Sequence, residues 1–252
     1  MTCHIRRRSG VEHCIQEDPP MKPVLCLLAV SLGACSSSSS SSNVALSARA
    51  GTLASTAAAA ADQQTQALQA CNGFVITRVR MVISEVKLEG PSDGGSSDEV
   101  EFKSAPILMD LPQTALDSGT TQQITVAEVP AGTYNEIKMK IHKVSQSEAG
   151  SDSGLQAMAA ANASVMVDYT ANGATRPTFV SSVDAQQKLE GTFPLTGGSH
   201  ALTLNIDAST WFTKSTSCLD PANSNNSSDI DNNIQKSLKA YKDDDHDGHE
   251  DH

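Results

Sequence analysis

From Phe74 onward the apolar positions recur with a period of two. In FVITRVRMVISEVKL, Val75, Val79, Met81 and Ile83 share one face, and the apolar parity then moves to Val86 and Leu88. That shift predicts a β-bulge near Ser84 and Glu85. In YNEIKMKIHKV, Ile137, Met139 and Ile141 alternate with Glu136, Lys138, Lys140 and His142, the signature of a strand with one face in the core and one in water. Leu202, Leu204 and Ile206 repeat the pattern, and weaker strands are predicted at 99–102, 107–111, 122–127, 163–170, 178–183 and 188–195. This series of short strands predicts a mainly β fold, a β-sandwich with one solvated face per sheet. Two stretches keep a helical period instead. Residues 155–162 form a short Ala-rich candidate. Over 228–241, Ile230, Ile234, Leu238 and Tyr241 fall at helical spacing behind Ser228 or Asp229 as N-cap, which predicts a short amphipathic C-terminal helix.

The aromatic residues all lie between Phe74 and Tyr241. A packed domain is therefore expected over 72–241. The Ser- and Ala-rich stretch 35–71 reads as a flexible tether and 242–252 as an acidic tail. Lys and Arg total 18 against 29 Asp and Glu, a net charge of −11. Such a chain lacks the basic face that nucleic-acid binding needs. No run of about 20 apolar residues is present to span a bilayer as a helix.

Residues 23–34, PVLCLLAVSLGA, have the length of a signal-peptide apolar region behind Lys22. They end in Leu32-Gly33-Ala34-Cys35, followed by serines 36–42. This ending resembles the lipobox of bacterial lipoproteins. The resemblance implies a signal peptide over 1–34, cleavage after Ala34 and lipidation of Cys35; an ordinary secretory signal cleaved after Ala34 is the alternative. Residues 1–20 fit a signal poorly, and Met21 opens a tidier one. In the lipoproteins it resembles, Asp after the lipidated Cys favours the inner membrane. Ser36 stands there and implies the outer membrane or cell surface. Cys3, Cys14 and Cys26 would leave with the signal, so Cys71 and Cys218 remain as an even pair. In an oxidising compartment such a pair reads as a disulfide, with two free thiols as the alternative.

Four stretches carry a second resemblance: ITRVRMVISEVKLEG (76–90), ILMDLP (107–112), VPAGTYNEIKMKIHK (129–143) and IQKSLKAYKDDDHDG (234–248). Their order resembles bacterial lipoproteins that carry a domain of unknown function. It implies a Greek-key, immunoglobulin- or prealbumin-like sandwich on a lipid anchor, and it brings no catalytic residues.

Read for chemistry, Pro130-Ala131-Gly132-Thr133 is a turn. Tyr134 follows Gly132 as the tyrosine of a tyrosine corner, its hydroxyl bonded back to loop backbone. In the tail, Asp243, Asp245, Asp247 and Gly248 match the first half of a calcium loop, with Asp251 as a further ligand. The chain ends before the position of a closing Glu, so a complete EF-hand is not present. His246, His249 and His252 offer a transition metal instead, and a solvated charge run is the third reading. Trp211 and Phe212 are expected to cap the core, with sugar stacking as the alternative for an exposed Trp211. His142 and His200 stand alone on strands, and Asp168, Asp184 and Glu190 have no spacing that pairs them. G-x-S-x-G, H-E-x-x-H and phosphate-loop motifs are absent. The expected role is a lipid-anchored envelope protein, a non-catalytic binding or structural module, monomeric, with calcium as the one candidate cofactor. Its partners are expected to be the membrane and a surface glycan or envelope protein, and not nucleic acid. Calcium-dependent surface adhesion and periplasmic metal binding are the alternatives.

Overall fold

A computed structural model describes residues 41–51, 69–71, 73–90, 99–103, 105–195 and 199–243. The elements run β1 (Ser41–Ala50), β2 (Gln69–Cys71), β3 (Phe74–Glu89), β4 (Glu99–Lys103), β5 (Ile107–Pro112), α1 (Gln113–Ser118), β6 (Gln122–Pro130) and β7 (Gly132–Ile141). They continue with α2 (Gln146–Ala149), α3 (Ser153–Ala160), β8 (Val165–Ala171), β9 (Ala174–Thr175), β10 (Phe179–Ser181), β11 (Ala185–Leu195) and β12 (Ser199–Ile206). The chain closes with the hairpin β13 (Thr213–Lys214) and β14 (Ser217–Cys218), then α4 (Ser227–Ser237) and β15 (Leu238–Lys242).

The larger sheet follows the order β10-β8-β3-β7-β11, with β2, β4 and β5 also bonded to β3. The 16 residues of β3 allow this, because different lengths of the strand take different partners. Residues 74–81 pair with β8, 78–83 with β5 and 83–89 with β7. The expected bulge lies where β3 meets β7, between Ile83 and Glu85. A second one, between Ile76 and Arg78, sits on the β8 side. It moves Ile76 into the core in place of Val75, which stays half-buried.

The smaller sheet has the order β15-β12-β1-β6. β1 runs parallel to β12 and antiparallel to β6. Its Val44, Leu46 and Ala48 are fully buried and share one core with Ile76, Val79, Met81 and Ile83 of β3 and Ile137, Met139 and Ile141 of β7. The two sheets thus face each other across a common apolar layer, which makes the fold a sandwich.

Three expectations change. Residues 41–50, expected to belong to the tether, form a central strand instead. Their alternation is made of small residues and serines, so it carries little hydrophobic weight until partners lie on both edges. The expected helix over 228–241 ends at Ser237. Leu238 turns extended, at φ −86° and ψ 128°, and Leu238 to Lys242 pair with Ile206 to Leu202. Ser237 is where the helix stops. Its hydroxyl accepts the Trp211 indole N–H at 2.7 Å and donates to the Ile234 carbonyl at 2.7 Å. The packed domain therefore extends from β1 through β15, beyond the expected 72–241 at both ends. The outer face of the larger sheet is also not fully solvated. A smaller cluster of Val82, Val144, Ala149, Leu155, Met158 and Ala163 buries part of it under α2 and α3.

Leu46→Ala should lower the free energy of unfolding by about 2–5 kcal/mol, the usual cost of removing a fully buried leucine side chain. Urea titration measures it. A change below about 0.5 kcal/mol, as for an exposed surface site, would place residues 41–50 outside the cooperative unit.

Candidate functional site

The outer face of the larger sheet carries an ordered set of charges. Parity puts Arg78, Arg80, Glu85, Lys87 and Glu89 on the side of β3 opposite its core residues. Register then aligns two rows across β3, β7 and β11. Lys87, Lys138 and Lys188 stand opposite one another, and so do Glu89, Glu136 and Glu190. Like charges directly opposite are unfavourable in a sheet, and diagonal neighbours remain within reach of long side chains. Two ion pairs run diagonally: Lys138 bonds Glu89 and Lys188 lies 3.0 Å from Glu136. Lys138 also lies 3.5 Å from Glu136 along its own strand. Lys188 is the main cause holding the Glu136 carboxyl below its ordinary value; partial burial opposes it and Lys138 assists. Glu89 raises Lys138 in the same way.

The arginines also pair diagonally, although each stands opposite an acid. Arg78 is opposite Asp168 and Arg80 is opposite Asp110. Yet Arg78 grips Asp110 with both arms of its guanidinium, Nε donating to Oδ1 at 2.8 Å. Arg80 Nη2 donates to both Asp168 oxygens at 3.0 Å, and Thr178 Oγ1 donates to Asp168 at 2.6 Å. The result is a set of surface charges that largely neutralise one another.

At the rim of this face His142 Nδ1 lies 3.0 Å from Asp184 Oδ2. A serine stands close in sequence, but its hydroxyl is committed. Ser145 Oγ donates to Glu148 Oε2 at 2.6 Å, the Ser145 N–H donates to the same oxygen at 2.8 Å, and the Glu148 N–H donates back to Ser145 Oγ at 3.3 Å. This is a capping box starting α2. The Ser145 hydroxyl and N–H hold the Glu148 carboxyl low, with a smaller contribution from His142. The group is arranged to start a helix.

The individually expected residues fall as follows. Cys71 and Cys218 form a disulfide with Cα atoms 5.7 Å apart, 147 residues apart in sequence. Beside it Phe212 packs on Tyr169 at 5.4 Å and on Phe74 and Phe179 at 6.2 Å between ring centroids. Gly73 turns the chain between Cys71 and this cluster with φ +80°, and a Cβ there would sit 2.3 Å from Asn172 Oδ1. Trp211 has no exposed surface, so it is not a stacking platform for sugar. Tyr134 is buried, and its Oη donates to the Pro130 carbonyl at 2.7 Å. Burial raises its phenol above the ordinary value. The ring lies over Gly132, where an added Cβ would make only ordinary contact, 3.8 Å from Cε2.

Asp243 is fully buried at the end of β15. Its N–H donates to the Ala201 carbonyl at 3.1 Å, and its carboxylate accepts from Thr203 Oγ1 at 2.9 Å. That carboxylate is part of the fold, and the calcium-loop arrangement begins with it. Cys35, Asp245, Asp247 and Asp251 lie outside the described residues. Among the described residues no three His, Cys, Asp or Glu side chains are placed to share a metal ion. Sequence reasoning missed the charge rows. Alternation marks each lysine and glutamate as outward, but only the register between strands aligns them.

Residues 72–221 match the family described as a domain of unknown function, DUF4382. No curated protein and no solved structure matches the chain. The matched stretch contains all of β3 to β14. β1, β2, α4 and β15 lie outside it.

Two outcomes are expected here. Tyr134→Phe should cost about 1 kcal/mol, the typical net value of one hydrogen bond; denaturant melts equal to those of the parent would count against the corner. The depressed Glu136 pKa makes its contribution present at neutral pH and lost as pH falls below the ordinary carboxylate value. The melting temperature of Glu136→Gln should therefore decline less between pH 7 and pH 3 than that of the parent. Parallel declines would show that the lysine contacts do not act on Glu136.

Proposed function

We propose that this chain, which belongs to the DUF4382 family, is a lipid-anchored, non-catalytic module of the bacterial cell envelope. On this reading it binds or organises a surface and transforms no substrate. The observation that carries the proposal is the Cys71–Cys218 disulfide. Such bonds persist in oxidising compartments outside the cytoplasm. The apolar leader and the Leu32-Gly33-Ala34-Cys35 ending supply the means of export and attachment. Two acyl chains or more hold a protein stably on a membrane, whereas a single chain binds marginally.

The ionic face supports a contact role. Its charges are paired across neighbouring strands, so it offers a flat polar surface without a large field of one sign. A surface glycan or another envelope protein suits that chemistry, whereas nucleic acid calls for an unpaired basic face. Ser36 directs the reading to the outer membrane. Asp243 weakens a calcium-dependent alternative, because its carboxylate already accepts a hydrogen bond within the core.

Cys35→Ser should move the protein from the membrane fraction to the soluble envelope fraction. The parent should sediment with outer-membrane markers, and its released N-terminal peptide should carry the mass of a lipidated Cys35. Equal membrane retention of parent and variant would count against the anchor.

A further inference from the structure

We propose that the sandwich stands directly on the bilayer, with the end where β1 begins facing the membrane and the disulfide end facing away. This rests on the lipid-anchor reading above and gives it a direction.

The sequence between anchor and fold is short. Residues 36–40 alone separate Cys35 from Ser41, the first residue of β1. An extended chain spans at most about 3.6 Å per residue, so the start of β1 stays within roughly 20 Å of the lipidated sulfur. That start is held by the fold. Ser41 is opposite Pro130 and Asn43 is opposite both Glu128 and Ser199. The Ser42 hydroxyl donates to the Leu195 carbonyl at 3.0 Å. The 10 residues of β1 then carry the chain about 30 Å along the sandwich at some 3.3 Å per residue. If the domain were inverted, Ser41 would stand about that height above the membrane, beyond the reach of the linker. A tether of the length expected from sequence would have allowed it.

The end near the membrane is then made of the turn from β6 to β7, the end of β11, the start of β12 and the end of β15. Lys242 is opposite Leu202, so β15 also ends at this end. The opposite end carries Gly51, bonded through its N–H to the Ile206 carbonyl at 3.0 Å, the buried Trp211 and the hairpin of β13 and β14 with Cys218. That outer end is the part of the domain a partner meets first.

Lipidated mature protein, freed of residues 1–34 and with them Cys3, Cys14 and Cys26, reads the orientation when a single thiol is added. Cys71 and Cys218 are paired with each other and the Cys35 sulfur carries lipid, so only the new thiol takes a dye. Thr133→Cys marks the near end and Thr216→Cys the far end; both positions are exposed. The proteins are placed in phosphatidylcholine vesicles whose headgroups carry an energy acceptor. Transfer from residue 133 should be at least about twofold greater than from residue 216, because separations of tens of ångströms along the strands divide the two sites. A 20-residue Gly/Ser insertion between Ser36 and Ser37 should abolish the difference. Equal or reversed transfer without the insertion overturns the orientation and leaves the anchor standing. A difference that survives the insertion overturns the linker as its cause. Failure of the parent to associate with vesicles more than Cys35→Ser does overturns the anchor and this inference together.

Discussion

Hydrogen bonding of β1 to β6 on one edge and to β12 on the other holds the smaller sheet together. Without it β6 would have no partner in that sheet, and β12 and β15 would remain as a two-stranded ribbon. Two-stranded ribbons are marginal in water unless a third strand or another layer covers them. Three apolar side chains of β1, Val44, Leu46 and Ala48, fill the middle of the layer between the sheets. The parallel pairing with β12 joins segments some 150 residues apart along the chain. Contacts of that separation carry a large loop-closure entropy.

The disulfide is the second long-range tie, and it acts at the other end of the sandwich. It joins the strand that leads into β3 to the hairpin that precedes α4. A loop of about 150 residues removes on the order of 5 kcal/mol of chain entropy from the unfolded state in the simplest treatment. Phe74, Tyr169, Phe179 and Phe212 pack beside it, so a covalent and an apolar constraint coincide. The region matched by the family ends three residues past Cys218. Both outer contributions to the smaller sheet, β1 and β15, come from flanking sequence. In this protein the family domain is therefore completed by its own ends.

On the exposed side of the larger sheet the ordering force is electrostatic and individually weak. Exposed ion pairs contribute roughly 0–1 kcal/mol each. Here they share partners: Lys138 meets Glu89 and Glu136, and Glu136 meets Lys138 and Lys188. Directly opposite residues carry the same sign, so each diagonal pair also relieves a repulsion. Slipping β7 by one residue would turn Lys138 and Glu136 inward and Ile137 outward. The charge rows and the core row thus specify the same register.

The alternation of apolar residues from Phe74 to Leu88 and from Tyr134 to Val144 was enough to identify β3, the bulge near Ser84 and β7, because each strand carries its period within itself. Cys71 and Cys218, and Tyr134 two residues past Gly132, were legible for the same local reason. Three features depended on tertiary structure. The strand character of 41–50 rests on serines and alanines that gain burial only between β6 and β12. The switch from helix to strand at Leu238 is set by the docking of Ser237 on Trp211, although Leu238 and Tyr241 also fit the helical period. The burial of Asp243 needs Thr203 from a strand 40 residues away. Alone, the sequence determined the periods and the cysteine pair. Which edges those periods met was decided only in three dimensions, because a strand with Val44 and Leu46 set among serines and alanines has no preference strong enough to declare itself before its neighbours are in place.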